Sequence, residues 1–417
     1  MSVRLALHGT LRRWCRSINE SWLLARNLPR AGTRLISIAK FGNCVPFFEG
    51  IKAALRVADF KTPFGKLNCI DWREAVLGND VFVFDNAVHM YDLSDSNLAR
   101  KDSGLDRAYH LRLGDVRRTA GQEATYGNGD MFSSFARRWN TADLGRPLFQ
   151  DSDTDMAMAQ AVPLYDVYKD GFAPVQAQYE FARAFPDRVM FCGGVDPLYP
   201  SLQGALDEMD RQVSELGARS FKFYNAHIGK AWRTDDPAIA YPMFEKAQKL
   251  GIRVVQFHKG FPISRARLED LSPLDIQQAA VDFPDLTFAI HHLALPYFEE
   301  TVYIAARFPN VVLVLSGTMH LPMIAPWQFQ DYMGRLLRDV GSDRIIWGSE
   351  APLFGNPQPV LEWFWNMQID PELQDRYGYP EITEYDKRKI LGENQARLFG
   401  VNVEDAKLKA QAWARAA

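Results

Sequence analysis

The chain has 417 residues, 47% of them hydrophobic and 24% charged, with a formal net charge of −3. That balance is globular, and it lacks the basic excess of a nucleic-acid-binding surface. No apolar run approaches the roughly 18 residues that a bilayer span needs, and Cys15, Cys44, Cys69 and Cys192 form neither a CxxC pair nor a disulfide framework, so a reducing compartment is expected.

The first 40 residues set Arg4, Arg12, Arg13, Arg16, Arg26, Arg30, Arg34 and Lys40 against a single acid, Glu20. This reads as a basic arm or an over-extended start on a cytoplasmic chain. An organellar transit peptide is the alternative. Residues 1–75 are expected to be an extension, 76–400 the folded domain and 401–417 a tail.

From residue 81 the chain alternates short β-rich runs with longer helical stretches. The runs are VFVFDN (81–86), AMAQAV (157–162), VMFCGGVD (189–196), SFKFYNA (220–226), RVVQFHKG (253–260), LTFAIHHLA (286–294), VVLVLSG (311–317) and RIIWGSEA (344–351). Their near-continuous apolar character is that of strands buried on both faces. Between them lie segments such as PAIAYPMFEKAQKLG (237–251), apolar at helical spacing with a glycine stop. Strand ends recur about every thirty residues, the length of a βα unit. Eight such units predict an α/β fold, a (β/α)₈ TIM barrel. The Gly-rich turn of a doubly wound sheet is absent. The segment 92–152 is too long for a simple connection and reads as a lid-like insertion. Its Tyr109, Tyr126, Phe132, Phe135 and Trp139 either cover an apolar substrate or pack the insertion onto the barrel.

A barrel of this kind carries its active site at the C-terminal strand ends. Those ends hold Asp85 and His89, Asp196, Lys222 and Asn225, His258, His292, and Glu350. His89, His258 and Glu350 supply the imidazole and carboxylate donors of a catalytic metal site, with an open position where water becomes acidic near neutral pH. Their donor atoms are then expected roughly 3–4 Å apart. His291 and His292 are neighbours, so on a strand only one of them faces the barrel axis. His227 and His320 lie in loops past strand ends and are expected at the surface, with contact to substrate the alternative. Lys222, Asn225 and Lys259 are candidates to bind an acidic substrate, as is Arg233.

Taken in order, these motifs resemble the amidohydrolase superfamily, in particular its amidohydrolase-2 branch of metal-dependent hydrolases and decarboxylases. FDNAVHMYD lies where that family has D-x-H-x-H. VVQFHKG is similar to its strand-five histidine motif, and LTFAIHHLALPYFEE to its strand-six motif, an alignment that selects His292. DRIIWGSEAP resembles GSDxP at strand eight, and GGVDP and KILGENQARLFG also resemble the family. Two departures stand out: Ala87 replaces the first histidine, and Glu350 replaces the strand-eight aspartate. The resemblance implies one divalent metal, zinc first and manganese second, which the loss at Ala87 could weaken or abolish. It implies a hydrolase acting on a small carbonyl compound, with His292 and Glu350 catalytic. Non-oxidative decarboxylation of an aromatic acid is the alternative, and a decayed barrel that only binds is a third reading. The expected partners are a small-molecule substrate and further copies of the chain, with no nucleic acid and no membrane span.

Overall fold

The computed structural model describes residues 77, 80–119, 135–262, 265–319 and 321–416. The basic arm, the extension over 1–75, Cys15, Cys44, Cys69, Tyr126, Phe132 and His320 lie outside them. Each of the eight β-rich runs forms a strand: β1 Phe84–Val88, β2 Met156–Gln160, β3 Val189–Gly193, β4 Ser220–Tyr224, β5 Val254–His258, β6 Thr287–His291, β7 Val311–Val314 and β8 Ile345–Ile346. They pair in sequence order as one parallel sheet. Backbone bonds close it into a barrel: Asn86 N to Trp347 O at 3.2 Å, His89 N to Ala351 O at 2.9 Å and Glu350 N to Ala87 O at 2.9 Å.

Pleat alternation sorts the side chains. On β5, Val255 and Phe257 point outward into the main apolar cluster, where they meet Phe244 and Phe288. Val254 points inward with Met156, Met158, Ala289, Val312 and Ile346, which fill the lower barrel. Above this apolar floor the interior turns polar. Asn86, Gln160, Lys222, Gln256 and His291 are all 0–1% exposed. Buried polar groups must be bonded, and these form a chain: Asn86 Nδ2 donates to Gln395 Oε1 at 2.7 Å, Gln160 Nε2 to Asn86 Oδ1 at 3.0 Å and to Gln256 Oε1 at 3.1 Å.

The insertion between β1 and β2 contains α1 Ser103–Thr119 and α2 Thr141–Phe149. Asn140 starts α2 with a capping box shared with Asp143. Phe135 and Trp139 are 0% and 3% exposed and join a cluster with Met90, Tyr91, Leu144 and Phe172. They therefore pack the insertion onto the barrel, whereas Tyr109 is 52% exposed. Residues Val403–Ala416 form a helix, α3 here, whose Trp413 meets Phe149 and Phe185 edge-on. No helix among the described residues is long and apolar enough to cross a membrane.

Candidate active site at the barrel mouth

His89 reaches the mouth through an irregularity. Asp85 pairs with Ala157 and Val88 with Ala159, so β1 uses one more residue than β2 between these points. The extra residue is a bulge that reverses the alternation. Phe84 and Asn86 face inward before it, and His89 faces inward after it. His89 Nδ1 bonds the carbonyl of Gln160 at 2.8 Å, and its Nε2 lies 3.1 Å from Glu350 Oε1.

His258 closes β5 on the inward phase. Its Nε2 bonds the carbonyl of Phe261 at 2.8 Å, and its Nδ1 lies 2.9 Å from His292 Nε2. His291 is the inward residue of β6 and belongs to the polar layer. His292 follows the strand with φ of +62°, so strand alternation does not govern it, and both neighbours turn inside. His292 Nδ1 bonds the carbonyl of Ser316 at 2.8 Å and lies 4.0 Å from Glu350 Oε2. His89, Glu350, His292 and His258 thus follow one another around the mouth.

A carbonyl only accepts, so each of these three imidazoles carries its proton on the nitrogen that faces a carbonyl. The other nitrogens turn inward: His89 Nε2 onto a carboxylate oxygen, and His292 Nε2 onto His258 Nδ1. Acceptors this close need a proton or a cation between them. Glu350 Oε2 is buried with no hydrogen-bond partner among the described residues. Among the described residues no three His, Cys, Asp or Glu side chains stand in a ready-made metal arrangement. His89 Nε2 lies 3.1 Å from Glu350 Oε1, and His258 is linked to this pair through His292. The donor types, imidazole nitrogen and carboxylate oxygen, are those a borderline divalent cation takes.

The charges are strongly tuned. Burial acts to raise the Glu350 carboxyl, but His292, His89 and Lys222 outweigh it and hold the group below the usual carboxylate range. Asp85, whose Oδ1 accepts the Ser349 and Ala87 N–H groups, is pushed up by burial to about 6. Burial pulls Lys222 down to about 8. His258 and His291 fall well below the usual histidine value, by burial and then by neighbouring positive charge.

The other expected contacts sit elsewhere. Lys222 is 0% exposed beneath the mouth, with its Nζ 3.1 Å from His291 Nδ1. Lys259, also 0% exposed, is ion-paired to Asp275 at 2.8 Å. Asn225 Nδ2 donates to the Trp232 carbonyl at 3.2 Å. Arg233 pairs with Asp235 at 2.7 Å at the surface. His227 is a correction. It is 1% exposed rather than at the surface, with Nε2 2.9 Å from Asp196 and Nδ1 3.5 Å from Asp166. A loop position hid it, because only the fold brings Asp166 and Asp196 to either side. Tyr91 and Tyr224 were also missed; they stack on His89 (centroids 5.4 Å) and His258 (4.9 Å). Tyr224 meets His258 across neighbouring strands, which spacing does not reveal, whereas Tyr91 lies two residues past His89, a local spacing that could have signalled it.

A TIM barrel with imidazoles, a carboxylate and tuned titratable groups gathered at its C-terminal mouth has the architecture of a barrel enzyme. The family model described as Amidohydrolase matches residues 141–401, more than half of the chain. The chain belongs to the amidohydrolase family and is an enzyme of that superfamily. Among solved structures it is similar to Bb4693, an uncharacterized TIM-barrel protein from Bordetella bronchiseptica, at 19% identity and a TM-score of 0.52, covering 76% of this chain and 99% of that one. It is also similar to a dihydroxybenzoic acid decarboxylase from Polaromonas sp. JS666 with bound manganese and 2-nitroresorcinol, at 15% identity and a TM-score of 0.49, covering 76% of this chain and 97% of that one. Over 156 residues it is 26% identical to protein fluG of Emericella nidulans, which covers 36% of this chain and 17% of that protein.

Proposed function

We propose that the mouth holds one divalent metal ion through His89, His258 and Glu350, and that the chain hydrolyses a bond beside the carbonyl of a small organic substrate. The supporting observation is the direction of the histidines. Three rings each donate to a backbone carbonyl, at Gln160, Phe261 and Ser316, and so turn their second nitrogens toward the site. Outer hydrogen bonds of this kind fix the tautomer and raise the basicity of histidine ligands. A divalent ion, zinc or manganese, supplies Lewis acidity there, polarising a carbonyl and acidifying water.

The chain's own groups do the remaining work. The Glu350 carboxyl is held below the usual carboxylate range, and its Oε2 has no hydrogen-bond partner among the described residues, so it can accept a proton from attacking water. His292 is held by its Nδ1–H, which leaves the Nε2 lone pair to take up the proton that Glu350 removes from water and then to pass it to the leaving group. Lys222, 0% exposed, acts on Glu350 through its charge and would favour an acidic substrate, whereas the Lys259 charge is met by Asp275 and Asn225 Nδ2 is bonded to the Trp232 carbonyl.

Non-oxidative decarboxylation of an aromatic acid is the second reading. It is favoured by the Tyr91 and Tyr224 rings, which lie against His89 and His258 and offer π-surface at the site. The test is to strip the purified protein with a chelator, restore zinc or manganese, and assay amides, lactones and hydroxybenzoates. Metal-dependent cleavage of amides or lactones supports the first reading, and metal-dependent CO₂ release the second. A protein that holds no metal and gains no activity with either ion contradicts both, and leaves a barrel that only binds.

A further inference from the structure

A cleft of about 560 Å³ opens at the end of the barrel opposite the mouth, where β4 and β5 begin. Three helices end at it, Leu202–Ser214, Ala240–Lys249 and Asn394–Phe399. Past each helix comes a glycine with positive φ: Gly217 (+72°), Gly251 (+76°) and Gly400 (+67°). A Cβ at any of the three would meet nothing within 4 Å, so the rim is open. The buried part of the wall is apolar, with Ala218, Ile252 and Phe399 at 3%, 5% and 7% exposure.

The charge on this cleft is one-sided. Arg219, Arg253 and Arg397 line it, all exposed, and among the described residues no Asp or Glu does. Ser220 Oγ donates to the Val254 carbonyl at 2.8 Å and Phe221 pairs with Val255, so Arg219 and Arg253 stand side by side where neighbouring strands start. Like charges opposite one another on a sheet repel, and Arg397 adds a third. Arg219 donates to the Phe399 carbonyl at 3.2 Å and Arg397 to the Asp343 carbonyl at 2.7 Å, which orients both and neutralises neither. The Arg253 guanidinium has no partner among the described residues. A helix C-terminus carries about half a negative charge, so three such ends offset at most about half of three guanidiniums. A guanidinium fork fits carboxylate and phosphate alike. Three of them on one cleft favour the group with more charge and more oxygens, a phosphate dianion.

We propose that this cleft binds a small phosphomonoester, its phosphate on Arg219, Arg253 and Arg397 and its organic body against Ala218, Ile252 and Phe399. The site stands apart from the mouth and does not rest on the metal reading.

The test is calorimetric titration of the full chain with phenyl phosphate, inorganic phosphate and benzoate, as wild type, Arg253→Gln, Arg253→Lys and Glu350→Gln. Phenyl phosphate should bind the wild type more tightly than either other anion and raise its Tm. Arg253→Gln should weaken that binding about 10–100-fold, as loss of a charge-assisted bond does. Arg253→Lys should recover only part of it, because an ammonium lacks the fork. Glu350→Gln alters the mouth and should leave the affinity unchanged. Wild type that binds no phenyl phosphate overturns the proposal. Affinity unchanged in Arg253→Gln overturns it too, since that variant keeps both the mouth and the basic first 40 residues. Equal affinity for inorganic phosphate, or tighter binding of benzoate, overturns the assignment of a phosphomonoester. If Arg253→Gln does not unfold cooperatively, Arg397→Gln is titrated under the same criterion.

Discussion

Five non-glycine residues of the described chain have φ between +45° and +64°: Phe261, His292, Leu293, Ala294 and Glu350. All follow strand ends at the mouth, in the loops after β5, β6 and β8. Each costs on the order of 1–2 kcal/mol in a left-handed conformation, and such strain collects where geometry matters for function. Strain of this kind cannot be read from residue types. It is why the alternation rule, which admits one inward histidine of His291 and His292, undercounts. Glu350 is also bonded through its backbone to Ala87, the position where the resemblance expects a histidine. If the longer carboxylate compensates for that loss, the two positions are coupled. Glu350→Asp should then weaken metal binding, and Ala87→His should restore part of it in that background. A double-mutant cycle on Mn²⁺ affinity should give a coupling of about 0.5–3 kcal/mol, and additive effects would exclude compensation. Gly317→Ala should displace His292, because no L-residue there avoids both the backbone strain and the 2.6 Å approach. Its metal affinity should fall while cooperative unfolding persists, as titration and thermal melts on the same sample would show.

Between elements, the most consequential contact is one that the motifs do not announce. His227 follows β4, Asp166 follows β2 and Asp196 follows β3, so one imidazole ties three βα connections together. Burial acts to lower the His227 pKa, but the Asp166 and then the Asp196 carboxylate overcome it and raise the group to about 9. A folded-state pKa above the unfolded one means that the native protein binds this proton more tightly. The stabilisation is therefore complete below about pH 6.5, the ordinary histidine value, and is lost as the pH rises through about 9. His227→Gln should cost about 3–5 kcal/mol near pH 6, the usual cost of breaking a buried pair. Denaturant titrations of both proteins should show that difference shrinking from about pH 6.5 to about pH 9. A difference independent of pH would mean that the ring acts by packing alone. The eight strands, by contrast, were legible because parallel strands are buried on both faces and their apolar runs show it. His227 was not, because the carboxylates that bury it come from distant segments.

For the molecule as a whole, the order of strand-end motifs was enough to define the barrel and to bring His89, Glu350, His292 and His258 to one mouth. The placement of Lys222 and His291 needed the tertiary fold, since only the register of β4 against β5 and β5 against β6 brings them under the site. None of the strand-end residues lies in the basic first 40 residues. Their removal should leave a single cooperative thermal transition and unchanged metal affinity, and loss of cooperativity would show that the arm is part of the folded unit. The central claim, a metal held at the mouth by His89, His258 and Glu350, is tested most directly by an anomalous difference map from crystals soaked in zinc or manganese. The account predicts one dominant peak at about 2.0–2.2 Å from an imidazole nitrogen of His89, one of His258 and a carboxylate oxygen of Glu350. A map with no peak at the mouth, or with its main peak on other residues, would contradict it.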